Sequence, residues 1–320
     1  MVYLEQYRFH EVIRVCCDMK ILIVLCALLL AGCGAEREIL SLQETEVVEV
    51  TEMTMPKETV PVTEPAFQRE LLHPLVNPKD EDFVRVKDYI PDIVTELKYA
   101  TPDNFTGQVI YEFGDVFLRY GTVMKLKAVS EELNSQGLHL KIWDGFRPVS
   151  AQFKLWEICP DDTYVADPNV GYSNHSRGFA VDLTLVDGDG NELLMPTGFD
   201  DFSLGADRDY SDCDSQAAGN ARYLEAVMEK HGFSGYWGEW WHYNDTRKYD
   251  VEDSFDPAVI ARCAVNRNVI LLERFWDPTT VILEIPEGEC VTRLGYREEY
   301  ILAEYWGYRG YLPTDALVQD

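Results

Sequence analysis

The sequence predicts an α+β domain followed by a smaller all-β module. Three observations carry this. Val123, Leu126, Val129 and Leu133 form one apolar stripe at helical spacing, and Leu224, Val227 and Met228 form another. Leu138-His139-Leu140-Lys141-Ile142-Trp143 alternates with the period of a strand. So does the run from Val181, where Val181, Leu183 and Leu185 point one way and Asp182 and Thr184 the other. After about Phe255 helical spacing disappears, and only short strand-like runs separated by turns remain.

The bulk numbers limit the function. The chain has 320 residues, 46% hydrophobic and 26% charged, with a formal net charge of -28. That is globular composition, large enough for one big domain or a medium and a small one. So acidic a chain lacks the basic face that nucleic acid needs, and it does not adsorb to anionic lipid or polymer. A solvated acidic surface is the plain reading.

The first segment, residues 1–33, reads as a signal region. Met19-Lys20 precedes an apolar run from Ile21 to Ala31, too short for a membrane span. Leu30-Ala31-Gly32-Cys33 resembles the bacterial lipoprotein cleavage box, which implies lipid on Cys33 and an exported product held at the outer face of the membrane. An ordinary signal peptide or a membrane anchor stays open. Glu5, Glu11 and Asp18 are foreign to a signal region, so Met19 reads as the true start. Residues 34–74 are rich in Glu, Thr, Val and Pro without lasting period, and read as an extended tether; a docked arm is the alternative.

The next segment, residues 75–256, holds the α+β domain. Phe83–Val86 and Ile93–Tyr99 read as short strands around a turn at Asp88–Pro91. A helix carrying the Val123–Leu133 stripe ends at Gly137. The strand 138–143 then delivers Asp144-Gly145-Phe146-Arg147-Pro148. Residues 150–159 read as a helix with Phe153 and Trp156 in the core. Asp187-Gly188-Asp189-Gly190-Asn191-Glu192 lacks the twelve-residue spacing of a calcium loop and reads as a hairpin turn. Residues 217–231 form a helix ended by Gly232, with His231 outside the chemistry.

Two stretches carry the chemistry: Ser173-Asn174-His175-Ser176-Arg177-Gly178 leading to Asp182, and Tyr236-Trp237-Gly238-Glu239-Trp240-Trp241-His242. His175 and Asp182 alone read as a surface His and a solvated Asp, but with His242 they can fill three positions of a tetrahedral zinc site and leave the fourth for water, the catalytic arrangement. A base must still take the proton of that water, and Glu239 is the candidate. Positions i and i+3 of a straight strand face opposite sides, so the backbone must bend near Trp240. Read alone, the same run is equally a core edge with a salt-bridged Glu.

These residues resemble the zinc D-alanyl-D-alanine dipeptidases of the VanX type, relatives of the zinc D,D-carboxypeptidases and of the hedgehog domain. Ser-x-His-(x)6-Asp and Glu-Trp-Trp-His are the main motifs. Tyr99-Ala100-Thr101-Pro102-Asp103-Asn104-Phe105-Thr106-Gly107, Trp143–Pro148, Gly219–Arg222 and Met228–Phe233 match in order, so the resemblance runs from about Asp82 to Asn244. It implies a central antiparallel sheet with flanking helices, one Zn2+, and Arg147 stabilising the oxyanion. An Arg147–Asp144 surface pair is the alternative. It further implies that Ser173, Tyr99 and Asp201 meet substrate: Ser173 its carboxylate, Asp201 its free amino group, with Asp200 one register away.

Residues 257–320 resemble a bacterial SH3-like β-barrel. The strand-like runs are 268–273, 281–285, 289–294, 300–304 and 307–313. Tyr305, Trp306 and Tyr308 either line a groove for wall peptide or fill the barrel core. The chain has 8 Cys, of which Cys159, Cys213, Cys263 and Cys290 lie in the folded part. Four cysteines allow three connectivities, Cys263 with Cys290 being the simplest; none has metal-ligand spacing.

The reading expected from all this is hydrolysis of D-alanyl-D-alanine by a zinc peptidase in cell-wall metabolism. Export would bring it to wall stem peptides, which keeps a zinc D,D-carboxypeptidase open. A non-catalytic wall-binding lipoprotein is the third reading, disfavoured by the intact Glu239 and Arg147.

Overall fold

The computed structural model describes residues 72–252 and 254–318. The start at Met19, lipidation at Cys33 and the tether up to residue 71 lie outside the described residues. By Leu72 the chain is docked: Leu72 packs on an aromatic cluster, and the His73 amide donates to Glu304 Oε1 at 2.9 Å.

The elements run β1 (Phe83–Arg85), β2 (Val94–Thr95), β3 (Phe117–Arg119), α1 (Tyr120–Asn134), β4 (Leu138–Asp144), α2 (Val149–Ile158), β5 (Ala180–Asp187), α3 (Ser215–Lys230), β6 (Phe233–Tyr236) and β7 (Glu239–Asp245). Five strands form one sheet in the order β2-β4-β5-β7-β6. Its pairs are antiparallel except β2 with β4. β1 and β3 make a separate antiparallel pair. This is the mixed α+β architecture expected, with a shorter β2. Of the run 93–99 only Val94–Thr95 is extended, because Lys98–Ala100 coils into a 3-10 turn.

Helix α1 packs on β4 and against α3. Leu126, Val129 and Leu133 meet Leu183, Leu185 and Leu224 in one buried cluster. Each such side chain contributes about 1.5–3 kcal/mol by leaving water. Asp214 caps α3, its carboxylate accepting from the amides of Gln216 and Ala217. The hairpin after β5 is held by Asp187, whose Oδ1 accepts from the amides of Asp189 and Asn191 at 2.9 Å each. It is a turn, as expected.

α2 corrects one expectation. It buries Ala151, Gln152 and Leu155, while Phe153 is exposed and Trp156 only half-buried. The helix is turned so that Gln152 reaches Arg147, and that polar bond decides which face goes inward.

The C-terminal strands are β8 (Ala261–Ala264), β9 (Val269–Leu272), β10 (Val281–Ile285), β11 (Cys290–Arg297), β12 (Tyr300–Tyr305) and β13 (Tyr308–Pro313). They form an antiparallel sheet in the order β10-β9-β13-β12-β11-β8. Among the described residues no pairing joins β10 to β8, so the ladder is open where a closed barrel was expected. Trp306 and Tyr308 are exposed at the β12–β13 hairpin, outside the core. Among the described residues no disulfide forms, including between Cys263 and Cys290.

The β1–β3 pair and the loop after β4 share a cluster with the C-terminal sheet. Phe83, Phe117 and Phe146 from the first part pack on Phe255, Leu294 and Leu302 from the second. Phe83 and Phe255 stack with centroids 4.7 Å apart and planes 13° from parallel.

Candidate active site

Two breaks in strand regularity build the site. On β4 the register against β5 shifts between Ile142 and Asp144, which sets Asp144 opposite Asp182. On β7 the β6 ladder passes from Gly235↔Tyr243 directly to Tyr236↔Glu239. Trp240 and Trp241 are consecutively buried there, which no straight half-buried strand allows. This is the bend near Trp240 that the motif required. It brings the Glu239 carboxylate to 3.8 Å from Nδ1 of His242.

His175 opens a 3-10 turn closed by Gly178 at φ +77°, a left-handed position that suits glycine. Asp182 and His242 are cross-strand partners on β5 and β7. His242 Nδ1 lies 2.9 Å from Asp182 Oδ1, and His175 Nε2 lies 3.4 Å from Asp182 Oδ2. One ligand atom from each of the three side chains falls within 4.8 Å of the others.

The outer nitrogens fix how the rings are used. His175 Nδ1 donates to Gly145 O at 2.8 Å, and His242 Nε2 donates to Asn244 Oδ1 at 3.2 Å. Asn244 Oδ1 also accepts from Asn174 Nδ2 at 2.9 Å. In neutral rings so arranged the inward nitrogens, His175 Nε2 and His242 Nδ1, 3.2 Å apart, are lone pairs, and only a proton on His242 Nδ1 shared with Asp182 at 2.9 Å, or a metal ion in its place, reconciles them. Two lone pairs and a carboxylate aimed at one point repel unless a cation lies between them. The donor set therefore fits a borderline-soft divalent ion such as zinc, with the distal partners orienting each ring.

Burial pushes the Asp182 carboxyl up, but the two imidazoles outweigh it and hold it well below the usual range. Burial lowers His242, and its bond to Asp182 more than restores it, leaving it raised. Glu239 is raised, first by burial and then by Asp182, against the pull of His242. A raised carboxyl is a stronger base than an ordinary one, which suits it to accept a proton.

Arg147 is buried, and it does pair with Asp144, but inside the protein and not on the surface. Its Nη2 donates to Asp144 Oδ2 at 2.7 Å and its Nη1 to Gln152 Oε1 at 3.0 Å. Its backbone amide donates to His175 O at 3.2 Å, so the arginine loop and the histidine turn brace each other. Asp144 is wholly enclosed and also accepts from Tyr111 at 2.7 Å. Tyr99 lies under the guanidinium, ring centre to Cζ 5.0 Å.

A cavity of about 300 Å³ joins these groups: Tyr99, Arg147, Ser173, His175, Asp182, Asp200, Glu239 and His242 all line it. Ser173 Oγ accepts from the His175 amide at 3.2 Å. Asp201 is not brought in. It is exposed, and its Oδ1 accepts from the Ser203 amide at 2.9 Å. Asp200 takes the inward place, because its backbone at φ +58° swings the side chain to the cavity. Tyr99 donates to it at 3.2 Å, and burial raises its carboxyl to about 8. Gln152, Tyr111 and Asn244 escaped the sequence reading, since single polar residues at those spacings carry no pattern.

A convergent His-Asp-His set, a neighbouring carboxylate and a braced guanidinium in one cleft are the equipment of a zinc peptidase. The chain belongs to the Peptidase M15 family of D-ala-D-ala dipeptidases, whose family model matches residues 79–259. It is similar to a D-alanyl-D-alanine dipeptidase of Escherichia coli K12, 42% identical over 48% of this chain and 79% of that protein. It is also similar to one of Enterococcus faecium, 34% identical over 50% of this chain and 90% of that protein. A solved D,D-pentapeptidase structure in complex with Zn(II) is 18% identical over 41% of this chain and 74% of that chain, at a TM-score of 0.29.

Proposed function

We propose that the protein hydrolyses D-alanyl-D-alanine to two D-alanines in cell-wall metabolism, with His175, Asp182 and His242 holding one zinc ion. The observation that carries this is the cavity shared by those three side chains with Glu239, Arg147 and Asp200. Zinc in that place supplies a Lewis acid that makes water a nucleophile near neutral pH. Glu239 removes the proton as water attacks the amide carbon. Arg147, held by Asp144 and Gln152, meets the negative charge that grows on the carbonyl oxygen and so favours the transition state over the ground-state amide. When the carbon–nitrogen bond breaks, Glu239 returns its proton to the leaving amine.

The dipeptide is preferred over longer peptides because of Asp200. Among the described residues this carboxyl, raised to about 8, makes no salt bridge, Arg147 acting on it only from a distance, and a free ammonium supplies one. The amide nitrogen of a stem peptide does not. Ser173 and Tyr99 border the same cavity and complete the substrate contacts. The test is release of D-alanine by the zinc-loaded chain from the dipeptide and from a pentapeptide ending in D-Ala-D-Ala. Equal or faster turnover of the pentapeptide replaces this reading with a D,D-carboxypeptidase.

Three further elements belong to the proposal. Cys33 carries lipid, and the enzyme acts at the outer face of the membrane. The boundary between catalytic and C-terminal parts falls near residue 256. The C-terminal sheet is an SH3-like module that touches wall peptide through Trp306 and Tyr308. The support for the last is exposure: Trp306, 68% exposed, and Tyr308 stand together at the tip of the β12–β13 hairpin.

A further inference from the structure

We infer that Arg208 is a positioning residue: its buried guanidinium holds the irregular β6–β7 hairpin in the shape that sets Glu239 beside His242. The inference rests on the peptidase reading for what the hairpin does. How the hairpin is held stands on the geometry alone.

One step along β6, from Gly235 to Tyr236, answers four steps along β7, from Tyr243 to Glu239. Trp240, Trp241 and His242 are thereby left without ladder partners on the β6 side. Trp240 and Trp241 are buried, so the carbonyls of this stretch cannot turn to water in place of a partner. Arg208 supplies the missing donors. Its Nε donates to Tyr236 O at 2.8 Å, and its Nη2 donates to Trp240 O at 3.0 Å and to His242 O at 2.9 Å. Its backbone amide donates to Trp237 O at 3.0 Å, closing the turn of the same hairpin.

The guanidinium is itself fixed. It lies over the Tyr243 ring, Cζ to centroid 4.5 Å, and Nη1 lies 3.2 Å from Glu225 Oε1. Gly235 is matched to it, because a methyl group there would land on the guanidinium carbon. Three carbonyls in different directions suit a planar fork of five N–H groups, which a lysine ammonium does not reproduce. Arg208 is not among the residues lining the cavity, so it acts through the backbone of residues 236–242.

This predicts a particular pattern of damage. Besides the bond from Arg208 to its carbonyl, His242 has a second anchor, the β5 ladder that pairs it with Asp182. Losing the guanidinium therefore leaves the metal ligands together and misplaces Glu239. The test uses the full chain with Arg208→Lys and, as a second variant, Arg208→Ala with added ethylguanidinium. For Arg208→Lys we expect zinc still bound, kcat lowered about 100-fold and KM nearly unchanged, the mark of a lost transition-state alignment. In the metal-free protein, amide hydrogen exchange should quicken within residues 236–243 and not elsewhere in the sheet. Ethylguanidinium should restore part of the kcat of Arg208→Ala.

Wild-type kcat in Arg208→Lys, or lowered kcat with unchanged exchange, overturns the inference. So does loss of folding in both variants, which would make Arg208 a stability residue only. A wild-type chain that binds zinc but releases no D-alanine sinks the peptidase reading instead. The exchange comparison in metal-free protein still decides whether Arg208 holds the hairpin.

Discussion

Glu239 Oε2 and His242 Nδ1 lie 3.8 Å apart although they are three positions apart on one strand. On regular β-structure they would point to opposite faces. The skipped register of β7 against β6 is what lets one strand end supply both the proposed ligand and the proposed base. The two roles then predict different losses. Glu239→Ala should keep about one zinc per chain and lower kcat about 10²–10⁴-fold, the usual weight of a general base. Zinc analysis beside a D-alanine release assay reads both, and full activity in that variant removes Glu239 from the mechanism.

Much of this site was legible in the sequence because its residues sit in patterned runs. Asp182 lies on the polar side of an alternating strand, and His242 follows a Glu-Trp-Trp run whose buried aromatics demand a bend. What stayed hidden depended on backbone conformation or on lone polar residues. Asp200 and Asp201 are interchangeable as letters; the left-handed backbone at Asp200 chose between them. Gln152 turned α2 away from the face that Phe153 and Trp156 suggested. Arg208 stands among acidic residues, Asp207 and Asp209, and reads as a surface charge until the unpaired carbonyls of the hairpin are seen. Closure of the C-terminal ladder is a long-range property that short strand runs do not encode.

Removal of a ligand should act on metal before anything else. Asp182→Ala leaves His175 Nε2 and His242 Nδ1 facing each other at 3.2 Å without a carboxylate. Zinc affinity should fall well beyond the 10–100-fold typical of losing an outer hydrogen-bond partner. Asn244→Ala, which frees the distal nitrogen of His242 and the Asn174 amide but removes no ligand, should stay within about that 10–100-fold range. Competition with a chromophoric chelator measures both, and equal affinities for the two variants would contradict the ligand assignment.

Asp200 should leave a pH signature. Its ordinary pKa is 3.8, and burial raises it to about 8 in the folded protein. Between those values the folded chain holds a proton that the unfolded chain has released. Folding stability from this group is therefore full below about pH 4 and is lost as pH rises toward 8. Asp200→Asn cannot lose a proton, so the variant should gain stability relative to wild type as pH climbs from 5 to 8. Denaturant unfolding of metal-free protein across that range is the measurement. The same variant should raise KM for the dipeptide by removing the partner of its ammonium, with a smaller effect on any N-blocked substrate.

Phe255 should couple the first part of the chain to the C-terminal sheet. Its ring is 3% exposed and sits among Phe83, Phe117 and Phe146, the last adjacent to Arg147. Phe255→Ala removes an aromatic ring from a packed cluster, at a cost of about 3–5 kcal/mol. The cluster takes residues from both parts, so the loss should appear as one lowered urea midpoint for the whole molecule, read alike by tryptophan fluorescence and far-ultraviolet circular dichroism. Five of the seven tryptophans, Trp143, Trp156, Trp237, Trp240 and Trp241, lie in the first part, whereas the last six strands dominate the second. The two probes therefore weight the parts differently. An early transition seen by dichroism but not by fluorescence would show the C-terminal sheet melting alone, and would refute the coupling.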